Sequence, residues 1–342
     1  MADFKIRKTK VIAGIEGKMM LIHSNSVKCG KTTVGSQMPK PLYLRLEQGA
    51  NAIDGMDYVA LENWADLKKL SKWLTSKRPQ KMEIDGKEVE DVLSNIYTTI
   101  IFDTFDVAIR WCTKYVCQQY GVNRLKDGND GFGLWAEYAN EWFDVINPIL
   151  NAGYFIYGIS HSEIRKIKDG RTGQEVEKFA PKGDKRTIDL VIETVDFIGY
   201  VKSNGVDDNG KVVPSSIYFA ETDEYLAGSR FEYMPSEIKV FSAENIQNAI
   251  KEAVMKKEQE TGNKAITFTE KKESEKRVQK SYEELIEEAT KYGRMAWKNN
   301  SEEAQEILDR NLFAGAKITD ATKKQIPQLE MIVFELKELV GE

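Results

Sequence analysis

The stretch KMMLIHSNSVKCGKTT, residues 18–33, restricts the folds open to this chain more than any other part of it. An apolar run leads into a loop of small residues and then into Gly-Lys-Thr-Thr. That order predicts a buried strand at Met19–Ile22, a loop over 25–30 and a helix opening at Lys31. Such a loop gathers successive backbone N–H groups and the positive end of the helix around one concavity, which is an anion site. The residues placed to line it are Asn25, Ser26, Val27, Lys28, Cys29 and Gly30, followed by Lys31, Thr32 and Thr33. Lys31 would reach terminal phosphates as a point charge, and the Thr32 hydroxyl would ligate Mg²⁺. Asn25 stands where the G-x-x-x-x-G-K-[ST] pattern has its first glycine; Asn is among the few other residues that enter left-handed backbone at modest cost. Lys28 is either a second phosphate contact or a solvated side chain.

The remaining pattern fits a sheet built around that loop. PLYLRLE (41–47), YTTIIFD (97–103) and YFIYGIS (154–160) read as strands, with further strands at 195–201 and 216–220. Helical spacing recurs over 65–74, 105–120, 134–150 and 242–257, and KRPQKMEIDGKEVED (77–91) reads as an exposed hairpin turning at Asp85-Gly86. Strands alternating with helices predict a mostly parallel α/β sheet covered on both faces. Residues 258–280 are polar and dense in Lys and Glu, as in a linker, and 281–342 read as amphipathic helices. The expected organisation is therefore a core at 1–257, a charged linker at 258–280 and an acidic helical domain at 281–342.

Composition removes several alternatives. With 41% hydrophobic and 30% charged residues the chain is that of a globular protein large enough for a full core. No apolar run approaches the 18 residues of a membrane span, and the opening MADFKIRKTK is too polar for a signal peptide, so no membrane role is expected. Cys29, Cys112 and Cys117 match no metal or redox spacing, which points to a reducing, intracellular setting. His23 and His161 are the only histidines, too few for a histidine-based zinc site. The net charge of −5 resides in residues 281–342, leaving the rest near neutral.

A phosphate loop that holds Mg²⁺ needs a second anchor, and Asp103, closing the apolar run IIFD, suits that role. Thr104 follows it, so a carboxylate to orient the attacking water must come from elsewhere. Glu47 ends the second strand, and adjacent parallel strands place such ends on one sheet edge; otherwise it is a surface carboxylate. Ser160 and His161 end the fourth strand on the same edge, where either could sense a γ-phosphate, or His161 could simply begin a loop. Arg230, in AGSRFEYMP, is either solvated or a charge offered to the phosphates of a neighbouring subunit.

The order of these parts resembles the phage-encoded P-loop ATPases related to the RecA recombinase core, including those associated with single-strand annealing. The resemblance covers residues 15–255 and rests on GKTT (30–33), LRLEQGA (44–50), IIFDTFD (100–106), GFGLWAEY (131–138), YGISHSE (157–163) and AGSRFEYMPSEI (227–238). It implies a RecA-like P-loop core with a small C-terminal helical domain, and ATP with Mg²⁺ as cofactors. It further implies Glu47 as the catalytic carboxylate, Asp103 as the metal-linked one, and Ser160 or His161 as the sensor. The setting it implies is the cytoplasm of a phage-infected bacterial host, with homo-oligomers and other phage replication or recombination proteins as partners.

In that group the segment after the sensor strand is a mobile DNA-binding loop. Residues 164–186 carry eight Lys or Arg against four Asp or Glu, and Gly170, Gly173, Pro181 and Gly183 argue against regular structure. Arg165, Lys166, Lys168 and Arg171, with Lys178, Lys182, Lys185 and Arg186, could track the backbone of single-stranded DNA while Phe179 stacks on a base. The alternative is a solvated surface loop. Two other roles remain open: an accessory ATPase or helicase loader acting on proteins, and a nucleotide switch with little hydrolysis.

Overall fold

The computed structural model describes residues 7–47, 53–168, 173–275 and 280–341. Two compact units result, Lys10–Lys271 and a smaller one built from the chain before Lys10 together with Lys272 onward. In chain order the first half holds β1 (Met19–Ser24), α1 (Lys31–Ser36), β2 (Pro41–Arg45), β3 (Tyr58–Ala60), α2 (Trp64–Leu74), β4 (Gln80–Ile84), β5 (Lys87–Asp91), α3 (Leu93–Ile96), β6 (Thr99–Asp103), α4 (Phe105–Gln119) and α5 (Trp135–Ala152). There follow β7 (Phe155–Lys168), β8 (Glu175–Pro181), α6 (Lys185–Thr194), β9 (Phe197–Lys202), β10 (Ser216–Tyr218), β11 (Gly228–Ser229), β12 (Glu237–Ile238), α7 (Ala243–Thr261) and α8 (Phe268–Glu275). The smaller unit adds α9 (Tyr282–Asn299), α10 (Ser301–Asn311) and α11 (Ile326–Val340).

The main sheet runs β12-β10-β9-β1-β7-β6-β2-β3. From β9 to β3 every pairing is parallel, while β10 and β12 close one side antiparallel. β1 is buried along its whole length because both its faces are covered, as an interior parallel strand requires. Met19 and Leu21 point to the side packed by α2, α4 and α5; Met20 and Ile22 point to the side packed by α1 and α7. On the first side Trp64 and Trp142 stack at 5.5 Å, with Phe105 against Trp142 at 5.7 Å. Phe105 approaches β7 this closely only because residue 158 is glycine: a Cβ there would fall 2.3 Å from the ring.

Local chemistry sets where elements begin. Asn63 caps α2 by accepting from Asp66 N–H, Ser242 caps α7 through Asn245 N–H, and Ser281 with Glu284 forms a capping box on α9. The β4–β5 hairpin turns at Asp85 and Gly86, both at positive φ, as its sequence predicted. In the smaller unit Leu285, Ala289, Tyr292 and Ala296 repeat at helical spacing on α9 and meet Leu329, Ile332 and Leu336 of α11 in a core of its own.

Two expectations need revision. The described residues of 164–186 are not irregular: β7 continues past the sheet to Lys168 and pairs antiparallel with β8, from Ser162↔Pro181 to Lys168↔Glu175. Backbone pairing rather than an apolar alternation defines this hairpin, and Pro181 sits at the end of β8, where proline is tolerated. Arg171 lies outside the described residues. The polar stretch 258–280 is also divided: α7 extends to Thr261, Ile266 pairs with Ile12, and Phe268 packs on Gly17 and Gly153, so residues up to 271 belong to the larger unit. No helix among the described residues is long and apolar enough to cross a membrane.

Candidate functional site

The carboxyl ends of β1, β2 and β6 and the Ser160-His161 position of β7 meet at one edge of the sheet, and the phosphate loop crosses it. α1 begins directly after Gly30, whose φ of 88° supplies the turn. Lys28 takes the other left-handed position of the loop at φ 57°, whereas Asn25 does not adopt one. Asn25 is instead held by its side chain: Tyr200 Oη donates to its Oδ1 at 2.7 Å. Ser24 Oγ donates to Val201 O at 2.6 Å and accepts from Ser26 N–H at 2.9 Å. Cys29 is buried, and Lys31 Nζ rests 3.7 Å from its sulfur. Tyr157 Oη donates to the Lys31 carbonyl at 3.0 Å, which fixes the first turn of α1 from beneath.

Thr32 and Asp103 are brought together across 71 residues, Thr32 Oγ1 donating to Asp103 Oδ2 at 2.8 Å. Tyr43 Oη donates to the same carboxylate oxygen at 3.2 Å. Burial pushes Asp103 above the usual carboxylate range, against the hydrogen bonds of Thr32 and Tyr43 and the charges of Lys31 and His161. A buried carboxylate and a hydroxyl, both hard oxygen donors next to a phosphate loop, are the chemistry Mg²⁺ prefers. Among the described residues no cluster of three or more His, Cys, Asp or Glu could hold a metal unaided; at Thr32 and Asp103, phosphates and water would have to complete the shell.

Glu47 lies two residues past the end of β2, half-buried on the same edge. Burial raises its pKa, with Asp106 and Asp103 adding repulsion that His161 and Arg110 oppose. Those influences place it among the other charged groups of the edge. His161 Nδ1 donates to Asp106 Oδ2 at 3.2 Å. That bond holds the imidazole above its ordinary pKa, and holds Asp106 below its own despite burial. Ser160 is buried and donates to the His161 carbonyl at 3.0 Å, so of the two sensor candidates His161 is the one open to a ligand. Asp106 escaped the sequence reading although it closes IIFDTFD; its place three residues after Asp103, at the first turn of α4, was the available signal.

Arg230 is at the opposite edge. Its Nη2 donates to the Glu193 carbonyl at 2.6 Å, and Nη1 lies 3.8 Å from Asp196, which precedes β9. It cannot reach the phosphate loop of its own chain; any role there requires a second copy. The candidate DNA contacts divide. Arg165 pairs with Asp189 at 2.8 Å and Lys178 with Glu221 at 2.8 Å, and Phe179 lies parallel to Tyr200 in a buried aromatic cluster, so these three serve the fold. Lys166, Lys182, Lys185 and Arg186 are exposed, the last lying over Trp135 at 4.6 Å. Of Lys168 only the backbone is described. Beside Asp106 opens a groove of about 710 Å³ between α4 and residues 182–187, lined by Arg110, Lys114 and Lys182 among others.

Comparison with known proteins agrees with this geometry. Residues 16–231 match a protein family described as an AAA domain. The chain is also 37% identical, over 340 residues covering 99% of it and 98% of the relative, to the SPbeta prophage-derived uncharacterized protein YorG of Bacillus subtilis (strain 168).

Proposed function

The chain belongs to the AAA-domain family of P-loop proteins, and on that footing we propose that it is a phage-encoded, Mg²⁺-dependent ATPase acting on single-stranded DNA in recombination or replication. One observation carries the hydrolytic part of the reading: Glu47, Asp103, Asp106 and His161 share the sheet edge that presents Lys31 and Thr32. The loop amides and Lys31 bind the phosphates. Thr32 and Asp103 hold the metal, which when bound neutralises phosphate charge. Glu47 orients and deprotonates the attacking water, its raised pKa making it a better base than an ordinary surface carboxylate. His161, exposed and with Nδ1 on Asp106, turns Nε2 toward solvent, and when the ring is protonated it offers a donor where the γ-phosphate and its water would sit.

The nucleic-acid part rests on the exposed cations Lys166, Lys182, Lys185 and Arg186, carried on or beside a hairpin whose first strand is also the strand of His161. Lys182 N–H donates to the His161 carbonyl at 2.9 Å, so contact with a phosphate backbone there would be felt at the sensor. The engagement of Arg165, Lys178 and Phe179 within the fold favours a second reading, in which the hairpin docks a replication protein and the chain is an accessory ATPase. Assembly into homo-oligomers, with Arg230 facing a neighbour's phosphates, belongs to either reading.

ATP hydrolysis with and without single-stranded DNA, wild type beside Lys31→Ala, at two salt concentrations, separates them. The proposal expects DNA-stimulated turnover that the variant lacks and that salt weakens, since backbone contacts release counterions. Lys31-dependent turnover indifferent to DNA would move the assignment to the accessory ATPase, and no Lys31-dependent turnover would refute both.

A further inference from the structure

The phosphate loop departs from its motif at one position, and β9 is built against that position. Asn25 occupies the place of the first motif glycine, and its Oδ1 accepts from Tyr200 Oη at 2.7 Å, a contact spanning 175 residues. Tyr200 is fully buried. Tyr225 stacks on its ring at 4.2 Å with 11° between the planes, and Phe179 lies parallel at 6.3 Å. His23 closes another side at 5.2 Å and is itself held at both ring nitrogens, by Ser162 Oγ at 2.8 Å and the Leu226 carbonyl at 2.7 Å. The phenol ring therefore has no room to turn away.

Burial raises the Tyr200 hydroxyl to about 12, so it remains a donor at any working pH. A fixed donor selects the oxygen of the Asn25 amide, and because the amide is planar this also fixes where its NH₂ faces. The next residue of β9 helps: Val201 O accepts from Ser24 Oγ, which in turn holds Ser26 N–H. Two consecutive residues of β9 thus anchor the entrance of the loop. A glycine at residue 25 would offer no side chain to hold and would need no such partner.

We propose that Tyr200 is a positioning residue of the phosphate loop: by holding the Asn25 amide it sets the loop entrance for the phosphate chain of the nucleotide, which lets an asparagine stand where the motif has glycine. The inference rests on the nucleotide-binding reading above. It makes Tyr200 and Asn25 one energetic unit, and a double-mutant cycle measures that. Tyr200→Phe keeps the ring and its stacking and removes only the hydroxyl.

The test is ATP binding in the presence of Mg²⁺, by titration calorimetry, for wild type, Tyr200→Phe, Asn25→Gly and the double variant. Loss of one hydrogen bond predicts about a five- to tenfold weaker affinity for Tyr200→Phe in the wild-type background. In the Asn25→Gly background the same change should matter less than about twofold, since its partner is gone. Equal weakening in both backgrounds, or none in the first, overturns the proposal. Hydrogen exchange without nucleotide gives an independent reading: Tyr200→Phe should speed exchange of the amides at 25–30 and leave β1 and β7 unchanged. Unchanged loop exchange overturns the positioning role even if Asn25→Gly fails to fold. Wild type that binds no ATP would overturn the nucleotide reading instead, and the exchange measurement would still decide whether Tyr200 sets the loop.

Discussion

His23 makes the acid stability of the larger unit predictable. It sits fully buried in β1, and burial lowers its pKa from 6.5 to about 4, against the pull of the Leu226 carbonyl and with a small push from Lys31. With Nε2–H donating to Leu226 O and Nδ1 accepting from Ser162 Oγ, the ring is satisfied as the neutral form. Above pH 6.5 the histidine is neutral whether the chain is folded or not, and it imposes no pH dependence. Below 6.5 the unfolded chain takes up a proton that the folded one refuses, so stability falls as pH falls until the folded pKa near 4 is reached. The displacement corresponds to about 2 kcal/mol lost at pH 5 and about 3 kcal/mol by pH 4. Asp103 and Asp196, raised by burial, work in the opposite sense, so the total slope is not diagnostic. The difference between wild type and His23→Gln is. Five of the six tryptophans lie in the larger unit, so urea unfolding followed by tryptophan fluorescence at pH 7.5, 6 and 5 reports on it. The variant is expected to lose about 2 kcal/mol less than wild type between pH 7.5 and 5. Parallel pH profiles would show that His23 is not buried neutral, and the reasoning would fail.

Three further outcomes follow from the geometry. Gly158→Ala places a methyl 2.3 Å from Phe105, which Phe102 and Trp142 keep from retreating, and should destabilise the larger unit by about 2 kcal/mol in denaturant titration. Glu47→Gln should lower ATP turnover at least about a hundredfold while calorimetric ATP affinity stays within a few-fold; retained turnover would remove Glu47 from the chemistry. Asp106→Asn should return the His161 titration, followed by the NMR shift of its ring proton, from above 6.5 to that value or below. The sign is fixed by the pair: His161 raised and Asp106 lowered means that the ion pair is complete between the two values, lost in acid as Asp106 protonates and lost in base as His161 deprotonates.

The parts of this fold that were readable in advance are those where burial on both sides forces an apolar run. β1, β6 and the first half of β7 are such runs, and the polar residues that stop them, Ser24, Asp103 and Ser160-His161, mark the sheet edge by the same logic. Glu47 lies two residues past the end of β2, so the apolar run PLYLRL places it at the same edge. Asp106 was not readable, because a carboxylate at a helix's first turn is commonplace, and only its hydrogen bond to His161 separates it from a helix cap. The hairpin of β7 and β8 was not legible because IRKIK puts an isoleucine and a cation on each face, leaving no polar–apolar alternation to set against its charge and glycine content. Tyr200 and Tyr43 could not have been assigned from sequence, since their polar tips find Asn25 and Asp103 only through tertiary packing.

β7 has a geometric consequence of its own. At about 3.3 Å per residue, its fourteen residues form a single rod of about 46 Å, one end in the centre of the sheet and the other at the far end of the hairpin. Because side chains on a strand face alternate ways, parity is conserved along that rod. Lengthening both arms of the hairpin by two residues would move whatever the outer end touches farther from the His161 edge without turning it over. Lengthening each arm by one would invert every outer side chain while leaving the inner ones in register. Related chains that differ in the reach of this hairpin are therefore expected to differ by even numbers of residues per arm.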